Sequence, residues 1–161
     1  MNSRLTKLLV PTAMLIPMLC YAKEWRGIVP LHSTRADVDR LIGTKKLRCG
    51  GLSCLYDLGQ ETVFVLYADE PSCKNDDATT SWKVPRDTVI EINIHFKLER
   101  SLKDLGLDLT KFSKRNDEEL AGFIYYNDWD EGIEIEGTAT TAMGINYYQE
   151  AKDNSLRCPR N

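Results

Sequence analysis

The stretch TVIEINIHF, residues 88–96, decides the fold class. Its apolar residues recur at every second position. Ile90, Ile92, Ile94 and Phe96 should face one way, and Glu91, Asn93 and His95 the other. A period of two marks a strand with one face on a core and one toward solvent. β-Branched side chains fill three of these positions, and a branched Cβ sits better on a pleated surface than in a helix.

Strand signals continue upstream. TVFVLY at 62–67 is apolar on both faces, as expected of an inner strand. Residues 46–49 and 54–58 read as a hairpin around the turn residues Gly50 and Gly51. A polar loop over 69–85 carries Cys73 and the acidic pair Asp76 and Asp77.

Further upstream, Thr34 offers a hydroxyl N-cap with Asp37 three positions later, a helix start. Val38, Leu41 and Ile42 would share one face, and Gly43 supplies a stop. Pro30 argues for an extended segment over 25–32.

Downstream, Leu102, Leu105, Leu107 and Leu109 predict a short helix or turn interrupted by Gly106. A loop follows with Asp117, Glu118 and Glu119. Residues 122–126 and 132–136 read as a hairpin around Asn127, Asp128, Trp129 and Asp130, and 140–148 as the last strand. Helix, meander, helix-like linker and meander together predict an α+β fold. Its expected form is two layers, an antiparallel sheet of two meanders with short helices on one face. With no low-complexity linker, residues 23–161 form a single expected domain.

The first 22 residues read as a signal peptide. Arg4 and Lys7 precede an apolar run over 8–21, and Ala22 offers a small residue before a cleavage point. The expected address is secreted or periplasmic. Cys20 could be an acylated lipoprotein cysteine, but that processing wants a small residue before it, and Leu19 stands there. No later apolar run approaches the roughly 20 residues of a membrane span, so the mature chain should be soluble. Loss of Arg4 and Lys7 takes the 21 basic side chains to 19, against 24 acidic ones. A chain so charged is a poor partner for nucleic acid, which needs clustered positive charge.

Removing the leader leaves Cys49, Cys54, Cys73 and Cys158. An even number in an exported chain reads as disulfides, and four cysteines allow three pairings. Cys49 and Cys54 flank a Gly-rich turn, so a local bridge is geometrically easy. Cys73 would then pair with Cys158 and hold down the tail. Cys-x-x-Cys is absent, and two close ligand pairs, as structural zinc needs, are absent too.

No catalytic constellation emerges. His32 precedes a helix start, and His95 lies on the polar face of its strand, neither beside a nucleophile motif. Glu134 and Glu136 share one strand face, whereas a glycosidase wants carboxylates opposed across a cleft. Residues 127–132 resemble a calcium loop, but Trp129 would occupy a ligand place, so a hairpin turn is expected. No catalytic residue, metal or cofactor is therefore assigned. The aromatics are more telling. Tyr125, Tyr126, Trp129, Tyr147 and Tyr148 crowd the last third of the chain. Adjacent tyrosines on a strand point to opposite faces, so one of each pair should leave the core and offer a binding surface.

The run from Gly27 through Pro30, Thr34 and Asp37 to Val38, closing with Leu41, Ile42 and Gly43, resembles a pattern in small secreted bacterial proteins of unknown function. The segments 82–85 and 151–159 resemble the same group. More distantly, residues 33–38 with 41–43 are similar to the helix signature of the small-protein-A family. That family contains an outer-membrane assembly lipoprotein and shares its fold with the β-lactamase inhibitory proteins. The resemblance implies a small module that binds other proteins.

The expected role is thus an exported, non-enzymatic module that binds another exported or envelope protein. The alternatives are a secreted hydrolase using His95 and carboxylates, and an inhibitor of an extracellular enzyme.

Overall fold

The structure, a computed structural model, describes residues 24–43, 46–70, 73 and 79–159. The expected leader, with Cys20, lies outside the described residues. Eight strands form one antiparallel sheet: β1 (Lys46–Gly50), β2 (Ser53–Asp57), β3 (Glu61–Tyr67), β4 (Val89–Ser101), β5 (Ser113–Asn116), β6 (Ile124–Asp128), β7 (Ile133–Gly137) and β8 (Thr141–Tyr147). Their order in space is β1-β2-β3-β4-β8-β7-β6-β5. Each half is a meander, and the halves join where β4 pairs with β8.

The expected two-layer α+β arrangement is not what forms. The fold is largely β. The one α-helix among the described residues, α1 (Arg35–Ile42), has eight residues, and the other helical pieces are 3₁₀ turns over Leu102–Leu105, Leu109–Lys111 and Ala151–Leu156. The leucines of the linker fail to make a helix because Gly106 takes φ 68° and ends the first turn after Leu105. Leu102, Leu105, Leu107 and Leu109 still reach the core, from turns and loop. One cluster runs from Cys54 and Tyr56 on β2 through Ile92 and Ile94 to Ile135 and Tyr126. Trp25, Ile28 and Val38 join it from the N-terminal segment and α1.

Helix α1 starts as its sequence dictates. The Thr34 side chain accepts from the Asp37 amide, and Asp37 accepts from the Thr34 amide at 2.9 Å. That amide bond and Arg40 lower the Asp37 carboxyl to about 2. Residues 25–28 are not extended. Trp25 and Ile28 bridge across a turn with Arg26 and Gly27 at positive φ. The alternation of β4 also has a break. Val89 opposes Tyr67 and Ile92 opposes Val65, with a register shift between. Such a bulge sends Ile90 out of the main core, into a second cluster with Leu31, Ala68, Trp82 and Val84.

β5 was expected as loop. Its four residues are all exposed, so no alternation betrays it. Both edge strands, β1 and β5, are exposed along their length and carry Lys46, Arg48, Lys114 and Arg115. Basic side chains on an edge discourage pairing with another sheet. The tail is tied down by the Cys73–Cys158 disulfide, by the Cys158 amide on the Ser81 carbonyl at 2.8 Å, and by His32 Nε2 against Asp153 at 3.1 Å. No helix among the described residues is long and apolar enough to cross a membrane.

Candidate functional site

The sheet face turned away from the main core carries a polar row. Asn93 on β4, Asn146 on β8, Glu134 on β7 and Asn127 on β6 stand opposite one another in register. Glu134 is 9% exposed and Asn127 4%. The Asn146 amide donates to Glu134 at 3.3 Å and to Glu136 at 2.8 Å, and the Tyr148 hydroxyl donates to Glu134 at 3.4 Å. Glu91, on the same face of β4, has its pKa raised. Burial is the main cause, the Glu134 charge adds to it, and a hydrogen bond with Asn93 opposes it. Burial and neighbouring acids likewise push the Tyr148 phenol well up.

These carboxylates have donors but no cation. Among the described residues, no lysine, arginine or histidine pairs with Glu91, Glu134 or Glu136. Among the described residues, no donor reaches the buried Oδ1 atoms of Asn93 and Asn127. The row is therefore rich in acceptors and short of donors, a state that costs free energy in a buried setting.

Glu61 on β3 shows the opposite treatment. It faces the core side and is 5% exposed. Arg26 donates to it at 2.8 Å and Arg100 at 3.3 Å. The Arg100 guanidinium also lies 4.2 Å from the Phe96 ring centroid. Sequence reading missed this triad, because the three residues lie far apart in the chain.

Beside the polar row, two hollows meet at Tyr148. The first, of about 320 Å³, lies between the β6–β7 turn and the segment after β8, lined by Trp129, Asp130, Tyr148, Glu150 and Asn154. Gly132 builds it. Its φ is 64°, and a Cβ there would stand 2.6 Å from the Gln149 carbonyl oxygen, so only glycine lets the two backbones approach. The Tyr148 amide donates to the Gly132 carbonyl at 2.7 Å across this contact. Trp129 is 63% exposed at its rim. A second hollow of about 260 Å³ is lined by Trp82, Ile90, Glu91, Tyr148 and Arg157. Arg157 lies over the Trp82 ring, 5.6 Å from its centroid, and Lys152 pairs with Glu150 at 2.8 Å.

The five candidate aromatics divide. Tyr126 is buried in the core with its hydroxyl on the Thr138 carbonyl at 2.8 Å, and Tyr147 packs against the same cluster. Tyr125 lies edge-on to Phe123, under Arg115, with its hydroxyl on Asp117 at 3.2 Å. Trp129 and Tyr148 line one hollow.

His32 is engaged with Asp153. His95 is exposed and opposite Gly144, with Glu136 on the far side of that glycine. Their backbones stand two strand spacings apart, about 10 Å, and the Glu136 carboxylate lies over Gly144 between them. Asn127 and Asp128 end β6 and residues 129–132 form the turn, in which Asp128 accepts from the Glu131 amide at 3.2 Å. No group of three His, Cys, Asp or Glu among the described residues has a metal-holding arrangement. The cysteines pair as Cys49–Cys54 and Cys73–Cys158.

No family model matches the chain, and no curated protein matches it. Among solved structures, the chain is similar to a DUF4309 family protein (YjgB) from Bacillus subtilis subsp. subtilis str. 168. The TM-score is 0.45 and the identity 19%, over 77% of this chain and 84% of that one. A likeness of this degree assigns neither family nor ligand. The resemblance to small-protein-A and the β-lactamase inhibitory proteins has no counterpart in these matches.

Proposed function

We propose that the protein is an exported, non-enzymatic binding module that takes a basic segment of another exported or envelope protein on the acidic face around Tyr148. The observation that carries this reading is the buried Glu134, flanked by Glu91 and Glu136, with no cation among the described residues to neutralise it. An arriving lysine or arginine supplies the missing charge and donors, in a setting where an unpaired buried carboxylate is costly. Trp129 and Tyr148 add ring faces that attract cations and serve as anchors at interfaces. The export pattern at the N-terminus and the two disulfides support an address outside the cytosol.

The test is a photo-crosslinking amino acid placed at position 129 in the native host, with position 98, exposed on β4, as control. The expected result is an adduct at 129 alone, mapping to a lysine- or arginine-rich segment of an exported protein. Adducts equal at both positions, or an acidic or apolar attachment segment, would overturn the reading.

A further inference from the structure

The two disulfides sit in different chemical settings, and the difference lies outside the acidic face. Cys49 and Cys54 oppose each other across the β1–β2 hairpin. Cys49 is exposed on an edge strand, whereas Cys54 is 1% exposed. A guanidinium meets the buried sulfur: Arg35 Nη1 donates to Cys54 Sγ at 3.1 Å. Arg35 is held there from three other sides. Its Nε donates to Asp87 at 2.8 Å, its Nη2 to the Gly51 carbonyl at 3.3 Å, and its plane lies 3.9 Å from the Tyr67 ring centroid. Cys158 Sγ, by contrast, has a carbonyl oxygen, that of Thr80, at 3.8 Å.

A fixed cation on one sulfur polarises a disulfide. In thiol–disulfide exchange the leaving sulfur departs as a thiolate, and a neighbouring arginine stabilises that anion. We infer that Cys49–Cys54 is an exchange-competent disulfide, with Cys49 the attacked sulfur, Cys54 the leaving group and Arg35 the residue that holds the departing thiolate. An external thiolate forms a new S–S bond to Cys49 Sγ. The Cys49–Cys54 bond breaks, and its electron pair stays on Cys54. A second thiolate, on the same partner or another molecule, then attacks the partner's sulfur of the mixed disulfide and releases the Cys49 thiolate. The dithiol partner is oxidised and the hairpin reduced. The co-reactant is a thiol or dithiol, small or carried by another exported protein. Asp87 opposes the effect by sharing Arg35.

The test equilibrates the full chain in glutathione buffers, quenches with acid and maps thiols and adducts by non-reducing peptide mass spectrometry. Cys49–Cys54 should open at glutathione ratios that leave Cys73–Cys158 intact, and the trapped glutathione should sit on Cys49. Arg35→Met should shift the equilibrium about tenfold toward the disulfide, the size of one lost hydrogen bond to a charged group. Asp87→Asn leaves the disulfide and the helix start in place and frees Arg35 for Cys54, so it should shift the equilibrium the other way. Simultaneous opening of both disulfides, glutathione on Cys54, or an unchanged equilibrium in both variants would overturn the inference.

Discussion

The two halves of the sheet are built alike and handle buried charge in opposite ways. Each is a four-strand meander, and β4 and β8 join them edge to edge. In the first half, Glu61 is buried on the core side and has two arginines. In the second, Glu134 is also buried and, among the described residues, has an asparagine amide and a phenol as donors but no cation. Two arginines of this half and its tail lie over rings and form no ion pair with Glu134: Arg115 over Tyr125, and Arg157 over Trp82 in the hollow it shares with Glu91. A neutralised buried acid is explained by the chain's own architecture. An un-neutralised one is a cost the fold carries, and functional sites are where such costs collect.

The largest expected effect comes from cutting the staple that ties the first half's loop to the tail after the second. The Cys73–Cys158 bridge spans 85 residues. Its removal by Cys73→Ser with Cys158→Ser should cost about 4–5 kcal/mol on the loop-entropy model, read by denaturant unfolding. Next, Arg26→Met with Arg100→Met strands Glu61 and should cost about 3 kcal/mol, since removing the partners of a buried charge is strongly destabilising. Glu134→Gln, which neutralises the unpaired acid of the second half, should leave stability unchanged or raise it by up to about 1 kcal/mol. Equal losses in the two halves would break the comparison.

A pH scan sharpens it further. The Glu91 carboxyl has a folded-state pKa above its ordinary 4.5, because it is buried beside Glu134. The folded state therefore favours the protonated acid. That contribution is complete below pH 4.5 and is lost as pH rises through the folded value. Acidification toward pH 4.5 should raise the melting temperature of wild type relative to that of Glu91→Gln. Asp37 has the opposite sign. Its contribution is present above 3.8 and fades as pH falls toward 2. Thr34→Ala should cost about 1 kcal/mol for a lost helix cap, in the first half and away from either acid.

Much of the sheet was legible in the sequence. The alternation of residues 91–96, the two hairpins and the doubled meander arise from local periodicity and turn chemistry, which act over a few residues. The layering was not. A leucine run with Gly106 inside it looks amphipathic, but glycine's left-handed conformation cuts it into a 3₁₀ turn and loop. β5 was hidden because a charged edge strand has no buried face to alternate. Ile90 misled because a bulge is set by the partner strand. In the site, Tyr148 and Trp129 were visible as residues in the sequence, while their meeting depends on Gly132 admitting the Gln149 backbone. The Glu61 triad and the grip of Arg35 on Cys54 join positions from 19 to 39 residues apart, beyond any local pattern.

The central claim is that the second half keeps Glu134 and its neighbours un-neutralised for a cation to complete. Calorimetric titration of the full chain with a deca-lysine peptide tests it most directly, with deca-glutamate as the charge-reversed control. The expected result is binding of the basic peptide alone, weakened by added salt, and weakened about tenfold in Glu134→Gln, which melts no lower than wild type. No binding of deca-lysine, or equal affinity in wild type and Glu134→Gln, would contradict it.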